Sequence, residues 1–271
     1  MDPHARSRSL DGPRPQGHSG WIVPDWPLPA GVQAVCTTRE GGVSAGPYAS
    51  LNLGDHVGDA AAAVAANRRI FAAAIRSRPV FMEQVHGTQV ARLSPASRDG
   101  LQADACVTSD AGVACTIMVA DCLPVLLATA DGKAIGAAHA GWRGLAGAAG
   151  QGVIETACQA LWSSGGDPAD TLAWLGPCIG PQAFEVGPEV KAAFEATDPG
   201  CAALFAPHGS GKWLANLPGL ARRRLQALGV GRIHGNDGGT AWCTVADPSR
   251  FFSHRRDRGI SGRLAAAVWR V

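Results

Sequence analysis

The sequence has little excess charge, few aromatic residues and no long hydrophobic run. Its 24 Lys and Arg nearly balance its 22 Asp and Glu, and the net charge of +2 does not favour a nucleic acid or an acidic membrane surface as partner. No apolar run approaches the roughly 18 residues that a membrane-spanning helix needs. The 271 residues include only 1 Tyr and 7 Phe, but 46% are apolar, so the chain can bury a sizeable core.

Closely spaced cysteine pairs are also lacking, as is an apolar segment near the N-terminus that would serve as a secretory signal. We therefore expect a cytoplasmic protein whose thiols stay reduced and mostly buried, and the sequence gives no support for disulfides. The cysteines lie at positions 36, 106, 115, 122, 158, 178, 201 and 243.

Internal repeats and long linkers are absent as well. Residues 1–20 hold Pro, Arg, Ser, Gly and His with almost nothing to bury, which predicts a disordered N-terminal tail. The gly-rich patches further along are too short to separate domains. Residues 21–271 are therefore predicted to form a single domain.

Short apolar runs bounded by Gly, Pro or Asp predict strands that are buried on both faces. Between residues 105 and 138 such runs follow one another too closely for helical crossovers, which favours mixed or antiparallel sheets in an α/β (α+β) fold. The predicted strands are Val32–Thr37, Val80–Glu83, Ala105–Thr108, Val113–Val119, Val125–Ala128, Ala134–Ala138, Leu172–Leu175 and Gly231–His234.

Capping residues and apolar periodicity predict four helices. These are Ala60–Ile75 with Asp59 as N-cap, Gly147–Trp162, Pro188–Ala196, and Leu217–Leu228 with Asn216 as N-cap and Gly229 just past its end.

His86, Cys122 and His139 are the most informative residues, in the segments QVHG (84–87), ADCLP (120–124) and HAGWRG (139–144). Two imidazoles and a thiolate suit a catalytic zinc ion, which takes three protein ligands and keeps a fourth position for water or substrate. The residue types alone leave another interpretation open. Free cysteine is usually a small buried hydrophobe, and a histidine at a strand end often only bonds a carbonyl.

Eight short segments occur in this order: TTREGGVS (37–44), SLNLG (50–54), QVHG, ADA (103–105), ADC (120–122), HAGWRG, GPCIG (176–180) and FFSHRRD (251–257). Together they strongly resemble the YfiH-like family, which is described both as multicopper polyphenol oxidases (laccases) and as purine nucleoside phosphorylases. The resemblance implies a layered α/β/β/α sandwich, similar to the catalytic domain of cytotoxic necrotizing factor toxins.

The same resemblance implies that His86, Cys122 and His139 are the metal ligands at the catalytic centre. Zn2+ is the expected ion. Cu2+ shares these donors and has the higher intrinsic affinity for them, so the ion found in a purified sample need not be the biological one.

Phosphate would need arginines and the backbone amides of glycine turns. Arg39, Ser44 and Asn52 lie in the matched segments and are predicted to bind substrate. The alternative is that Gly41 and Gly42 form an ordinary hairpin turn and Arg39 is a solvated charge.

Two further arginines are candidates for substrate binding. Arg143 follows a predicted ligand in a glycine-flanked turn, where it would either hold phosphate or form a salt bridge that fixes the turn. Arg256 belongs to a basic cluster at positions 255, 256, 258 and 263, and the resemblance suggests that one arginine of this cluster faces the pocket. His254 stands where the family is expected to favour tyrosine, which weakens residue-by-residue transfer there.

Two carboxylates, Asp104 and Asp121, lie near the predicted ligands. Asp121 is predicted to orient His86 or His139 or to accept a proton, although adjacent strand residues point to opposite faces. Cys243 is expected to pack in the core.

The function implied by the resemblance is metal-dependent phosphorolysis of adenosine, inosine and methylthioadenosine, with purine nucleosides and inorganic phosphate as partners. Adenosine deamination at the same site has the clearer physical basis, because zinc deaminases use their metal to activate water. The oligomeric state stays open.

Three other classes of protein compete with this prediction. Copper-dependent phenol oxidation normally needs several copper ions, and the remaining histidines form no His-x-His pattern. An amide hydrolase, which would suit a family association with peptidoglycan editing, would use Cys122 as nucleophile and His139 as base. A non-enzymatic metal-binding protein is disfavoured, since structural zinc sites usually have four ligands.

Overall fold

A computed structural model describes residues 20–271, so the predicted tail at 1–20 lies outside the described residues except for Gly20. The strands are β1 (Val32–Cys36), β2 (Arg78–Val80), β3 (Val90–Arg92), β4 (Ala105–Thr108), β5 (Val113–Val119), β6 (Leu123–Thr129), β7 (Ile135–Ala140), β8 (Thr171–Leu175), β9 (Glu185–Val186), β10 (Phe205–His208), β11 (Lys212–Ala215), β12 (Arg232–Gly235) and β13 (Leu264–Arg270). The helices are α1 (Ala61–Ile75), α2 (Trp142–Ala146), α3 (Val153–Trp162), α4 (Pro188–Glu195) and α5 (Leu217–Ala227).

The strands form three sheets. One has four strands in the order β1-β13-β5-β2, one has six in the order β12-β8-β6-β7-β4-β3, and a small one has the order β10-β11-β9. In the six-stranded sheet β6 is antiparallel to both neighbours, whereas β12 is parallel to β8. The prediction of mixed sheets is confirmed.

The side chains of β5 and β6 alternate between two faces, as those of buried strands must. On β5, Ile117 packs between the four-stranded and six-stranded sheets, whereas Met118 belongs to the core under α1. On β6, Leu126 packs between the two sheets and Leu127 faces the core formed with α3 and α5. The layers therefore run α1, sheet, sheet, α3 with α5, which is the predicted α/β/β/α sandwich.

Most predicted elements agree with the structure to within a few residues, but the predicted helix Gly147–Trp162 is correct only from Val153 onward and wrong before it. The segment holds the loop between α2 and α3, followed by α3 itself. Gly147 and Gly150 have φ of +62° and +81°, and a Cβ on Gly147 would lie 2.0 Å from the carbonyl oxygen of Gln151. A backbone conformation that only glycine tolerates readily thus ends α2 at Gly147.

One further prediction needs correction, and one strand was missed. Ala60, not Asp59, is the N-cap of α1 and has no side-chain cap, whereas the Asp59 carboxylate accepts hydrogen bonds from Ser44 and Asn52. The central strand β13 was not predicted, because its sequence LAAAVWR is rich in alanine, which favours helix. Complete burial between β1 and β5 overrides that preference.

The strands β3, β9, β10 and β11 were not predicted either, since they are short and partly exposed. No helix of the described region is long and apolar enough to cross a membrane. The single domain and the likeness to cytotoxic necrotizing factor toxins stay predictions.

Asn67 on α1 is completely buried and holds the loop that precedes the helix. Its Nδ2 donates to Ser44 Oγ at 2.9 Å, to the Ser50 carbonyl at 3.1 Å and to the Asn52 carbonyl at 2.8 Å. Its Oδ1 accepts from the Val43 amide at 2.8 Å. One amide side chain therefore satisfies four buried or half-buried polar groups.

We expect Asn67→Ala to lower the free energy of unfolding by about 2–4 kcal/mol, because it leaves buried backbone groups without partners. Denaturant unfolding measures this loss. The control is Arg69→Ala on the exposed side of the same helix, which should change stability by less than about 0.5 kcal/mol. Equal effects of the two substitutions would contradict the bracing role of Asn67.

Candidate metal and substrate site

His86, Cys122 and His139 meet in the wall of a cavity of about 450 Å³. One potential ligand atom from each residue lies within 4.8 Å of the others, and Cys122 Sγ is 3.7 Å from His86 Nε2. The two imidazole rings meet edge to face with centroids 4.8 Å apart. The fold thus brings together three residues that are far apart in the sequence.

Sheet register explains how two of the ligands meet. Cys122 directly precedes β6 and His139 lies near the end of β7. The antiparallel pairing of these strands sets Pro124 opposite His139, so the residue just before β6 reaches the same end of the sheet. His86 comes from the loop between β2 and β3, not from a strand end, and has φ of +61°.

Asp104 holds His86 and His139 in place. Its buried carboxylate accepts hydrogen bonds from the amides of Val85 at 3.1 Å, His86 at 2.9 Å and Gly87 at 2.6 Å. The same carboxylate lies 2.8 Å from His139 Nδ1. Because Nδ1 is occupied, Nε2 of His139 is the nitrogen left for a metal ion, as in the carboxylate–histidine–metal arrangement of many zinc sites.

The hydrogen bonds of Asp104 also set its charge. Burial raises the pKa of this carboxyl group, but the bonds from His139 and from the amides of Gly87 and Val85 outweigh burial and hold the pKa below its usual value. Asp104 is therefore ionised at neutral pH.

Two glycines of the HAGWRG segment leave room for the ligands. A Cβ on Gly141 would lie 2.8 Å from His86 Cδ2 and 3.0 Å from Cys122 Sγ. A Cβ on Gly144 would lie 2.7 Å from the carbonyl oxygen of Gly87. Side chains at these positions would displace His86 and its loop, so the glycines are required by the close approach.

Cys122 and His139 influence each other's ionisation. Burial raises the pKa of the Cys122 thiol, but the charge of His139 and hydrogen bonds from both histidines lower it to about 6. Burial lowers the pKa of His139, whereas the Cys122 thiolate and the Asp104 carboxylate raise it to about 9. At neutral pH the metal-free pair is a thiolate and an imidazolium, and thiolate is the form of cysteine that binds metals.

These donors fit one zinc or copper ion. Tetrahedral zinc with Zn–S of about 2.3 Å and Zn–N of about 2.0 Å requires roughly 3.5 Å between sulfur and nitrogen, close to the 3.7 Å between Cys122 and His86. In the described part of the chain this is the one group of three or more His, Cys, Asp or Glu residues with such spacing. Three nitrogen and sulfur ligands facing a cavity are typical of an open, catalytic metal site rather than a closed, structural one.

Three arginines line the cavity: Arg143, Arg255 and Arg263. Arg143 is exposed and its guanidinium lies 4.4 Å from the ring centroid of Trp142. Arg255 donates from both terminal nitrogens to the Glu185 carbonyl. The cavity wall is therefore cationic beside the metal ligands.

Arg256, which was predicted to bind substrate, does not line the cavity. Its guanidinium donates to the carbonyls of Thr244 and Phe251 and pairs with Asp257. The basic cluster does reach the pocket, but through Arg255 and Arg263. The sequence could not separate these arginines, because the turn at 254–259 decides which of them face inward.

Arg39, Ser44 and Asn52 also lie outside the cavity lining. Arg39 donates to the carbonyls of Ala49 and Pro248, and its guanidinium lies 4.8 Å from the ring centroid of Phe252. Ser44 and Asn52 are buried and donate to Asp59. Through these contacts the three residues hold together the loops around the site.

The orienting role that was predicted for Asp121 belongs to Asp104. Asp104 orients the histidines, whereas Asp121 accepts hydrogen bonds from Thr244 Oγ1 at 2.6 Å and from the Arg255 amide at 2.6 Å. Asp121 thereby fastens the 244–255 segment to the loop that carries Cys122. Cys243 is buried as expected, and its sulfur accepts a hydrogen bond from the Gly180 amide.

Sequence reasoning missed His56 and did not single out Arg263, although both line the cavity. A signal was present for His56, since the segment GDHVG (54–58) places a carboxylate and an imidazole side by side between glycines. That segment directly continues the matched SLNLG motif.

Most of the chain matches a known family model and nearly the full length of several named bacterial proteins. A family model described as multi-copper polyphenol oxidoreductase laccase matches residues 33–271. The chain is 47% identical over 253 residues to a purine nucleoside phosphorylase of Pseudomonas aeruginosa, covering 93% of this chain and 98% of that protein. It is also 47% identical over 252 residues to purine nucleoside phosphorylase YfiH of Escherichia coli, covering 92% and 98%.

The fold is also found in solved structures. A crystal structure of a Neisseria meningitidis protein superposes with a TM-score of 0.86 at 44% identity and covers 93% of this chain and 99% of that chain. YlmD from Geobacillus stearothermophilus gives a TM-score of 0.80 at 33% identity, covering 94% and 97%. The chain belongs to the YfiH-like family, whose members carry both the laccase and the phosphorylase descriptions.

We expect Cys122→Ala to remove most of the bound metal, because two imidazoles alone bind a divalent ion weakly in an open site. Elemental mass spectrometry of protein loaded with zinc measures the ratio of metal to chain. Cys158→Ala, at a buried cysteine of α3, is the matched control and should keep the full ratio. An unchanged ratio in Cys122→Ala would rule out this ligand set.

Asp104→Asn should weaken zinc binding by about 10- to 100-fold, because an amide neither supports the His139 tautomer nor accepts as strongly from the three loop amides. Competition with a chromophoric chelator measures the dissociation constant. Asp110→Asn, at an exposed carboxylate, provides the comparison. Identical zinc affinity in the two variants would show that Asp104 does not organise the ligands.

Proposed function

We propose that this protein is a metal-dependent purine nucleoside phosphorylase that uses inorganic phosphate to cleave adenosine, inosine and methylthioadenosine. The observation that carries the proposal is the joining of a His-Cys-His group and three arginines in one cavity, in a chain 47% identical to proteins named purine nucleoside phosphorylase. The products are the free base and a sugar 1-phosphate.

The arginines support the binding of phosphate. Arg263 is partly buried and Arg143 is exposed at the cavity, so together they offer one fixed and one adaptable cation. Guanidinium groups bind phosphate oxygens through paired hydrogen bonds. Among residues 20–271, Asp121 is the one carboxylate of the cavity lining. It is already bonded to Thr244 and to the Arg255 amide, which limits its repulsion of an anion.

The remaining lining supports the binding of a nucleoside. The cavity volume of about 450 Å³ lies in the usual range for small-molecule sites. Aromatic and aliphatic side chains would cover the faces of a purine, while the charged side hosts ribose and phosphate. The apolar lining consists of Met118, Val119, Ala120, Trp142, Ile179, Phe184 and Leu217.

His86, Cys122 and His139 would hold Zn2+, with Cu2+ as the other ion that fits these donors. The ion would supply a Lewis acid beside the bound substrate. With only three protein ligands, a bound ion would have a position left for water, which also favours adenosine deamination as a second activity of this site.

A second candidate function follows from the same residues without metal. Cys122 and His139 form a thiolate–imidazolium pair, and Asp104 holds the far nitrogen of the imidazole. This order of thiol, imidazole and carboxylate is that of a cysteine hydrolase acting on amides. Cytoplasmic location and the absence of nucleic-acid or membrane partners remain proposals.

If the protein is a phosphorylase, inosine should yield hypoxanthine only when phosphate is present, and removal of dioxygen should have no effect. Liquid chromatography of reactions with zinc-loaded protein measures base and sugar phosphate, with and without phosphate. Cys122→Ala should abolish turnover, whereas Cys158→Ala should retain it.

Other outcomes separate the alternatives. Product that requires oxygen and ignores phosphate would support the copper oxidase and overturn the phosphorylase. Conversion of adenosine to inosine without phosphate would add the deaminase. Amide hydrolysis by verified metal-free protein, lost when iodoacetamide modifies Cys122, would replace the proposal with the cysteine hydrolase.

A further inference from the structure

A histidine outside the His-Cys-His group also lines the cavity. His56 lines the cavity, and its Nδ1 lies 3.5 Å from the Asp55 carboxylate. The other oxygen of Asp55 lies 3.1 Å from Arg68 Nη2. Arg68 is itself fixed, since its Nε donates to the Leu53 carbonyl at 2.9 Å and its guanidinium lies 4.1 Å from the ring centroid of Phe81. A chain of contacts therefore orients the imidazole.

The loop that carries His56 is attached to Arg263. The Arg263 amide donates to Asn52 Oδ1 at 2.8 Å, and the Leu53 amide donates to the Arg263 carbonyl at 3.1 Å. A Cβ on Gly54 would lie 2.7 Å from Arg263 Cγ, so glycine lets the loop rest on this side chain. Two residues later the chain reaches His56, which places the imidazole beside the most buried arginine of the cavity.

The part of the loop that follows His56 is also held by hydrogen bonds. Tyr48 Oη donates to the Val57 carbonyl at 2.7 Å. Asp59 accepts from Ser44 Oγ at 2.6 Å and from Asn52 Nδ2 at 2.9 Å. The position of His56 is thus fixed from both ends of the loop, although its ring is exposed to the cavity.

Phosphorolysis of a purine nucleoside requires a proton to move. The bond between the sugar carbon C1′ and base N9 breaks, its electron pair goes to the base, and a phosphate oxygen forms the new bond to C1′. Monohydrogen phosphate gives up its proton, and the leaving purine accepts one at N7. The equation balances without any other reactant, and a side chain placed between the two partners speeds the reaction by carrying the proton from one to the other.

We propose that His56 carries this proton, accepting it at Nε2 from phosphate held beside Arg263 and donating it to N7 of the leaving purine. Asp55 is a positioning residue, which holds Nδ1 so that Nε2 faces the substrate. The proposal rests on the phosphorylase function above and adds a catalytic residue to it.

The charges around His56 are consistent with this role. Burial and the charges of Arg263 and Arg68 lower the pKa of His56, while its contact with Asp55 acts in the opposite direction. The imidazole is therefore neutral at pH 7 and able to accept a proton. Burial lowers the pKa of Arg263, while the nearby charges of Cys122 and Asp121 act in the opposite direction.

The test compares two substrates that differ in their need for the proton. Inosine needs protonation of its leaving base, whereas 7-methylinosine carries a cationic base that leaves as a neutral molecule. With 7-methylinosine the proton of phosphate is released to water after the new ester bond has formed, so bond cleavage itself needs no proton carrier. We expect His56→Ala to lower kcat for inosine by about 100-fold or more and to change kcat for 7-methylinosine little. Asp55→Asn should produce a smaller loss with the same substrate dependence.

His208→Ala is the matched control. His208 lies 3.6 Å from Glu185 and forms a similarly exposed imidazole–carboxylate pair outside the cavity lining. This variant should retain kcat for both substrates. Thermal unfolding and the zinc content of each variant show whether it is folded and loaded.

The outcomes distinguish the two proposals. If wild-type protein cleaves inosine with phosphate but His56→Ala retains that kcat, the relay is wrong and the phosphorylase stands. Equal losses on inosine and 7-methylinosine in folded, zinc-loaded His56→Ala would also overturn the relay. If wild-type protein cleaves neither substrate with phosphate, the phosphorylase itself is overturned and the relay with it.

Discussion

The buried carboxylate of Asp104 is the interaction on which the rest of the site depends. Removing an ionised group from water is costly unless hydrogen bonds replace its hydration. Asp104 offsets that cost by accepting hydrogen bonds from three consecutive amides of the 85–87 loop and from His139. These bonds stabilise the left-handed conformation of His86, which is uncommon for a residue with a side chain. One carboxylate therefore fixes the conformation of one ligand and the exposed nitrogen of another.

The pairing of the strands, in turn, brings Cys122, His139 and Asp104 to one end of the six-stranded sheet. The pairing of β6 with β7 sets Cys122 beside His139, and the pairing of β4 with β7 sets Asp104 at the same end of the sheet. Both faces of the central strands β4, β6, β7 and β8 are buried, so a shift in their register would expose apolar side chains and is strongly opposed. The distances between the metal ligands are thus a consequence of the core packing on both sides of the sheet.

The sequence predicted the layered fold, the mixed sheets and the grouping of two histidines and a cysteine that could hold a metal ion, because alternating apolar runs and short matched segments carry that information. It did not predict β13, whose alanines are helix formers that only burial turns into a strand. It also assigned the orienting role to Asp121, the neighbour of a ligand, instead of Asp104, since hydrogen bonds across the fold are not visible in local sequence. Arg256 was preferred over Arg263 for the same reason.

The segments TTREGGVS and SLNLG illustrate how a matched motif can serve a site without touching it. Ser44 and Asn52 bind Asp59, Asn67 binds both of their segments, and Asn52 also receives the Arg263 amide. Polar side chains that are buried in this way stay in one conformation, because every alternative conformation leaves a donor or acceptor unpaired and raises the free energy. The network therefore holds the 54–58 loop and Arg263 in one arrangement. Ser44 and Asn52 thus help to fix the cationic and imidazole groups that face the cavity, and their contact with substrate stays a prediction.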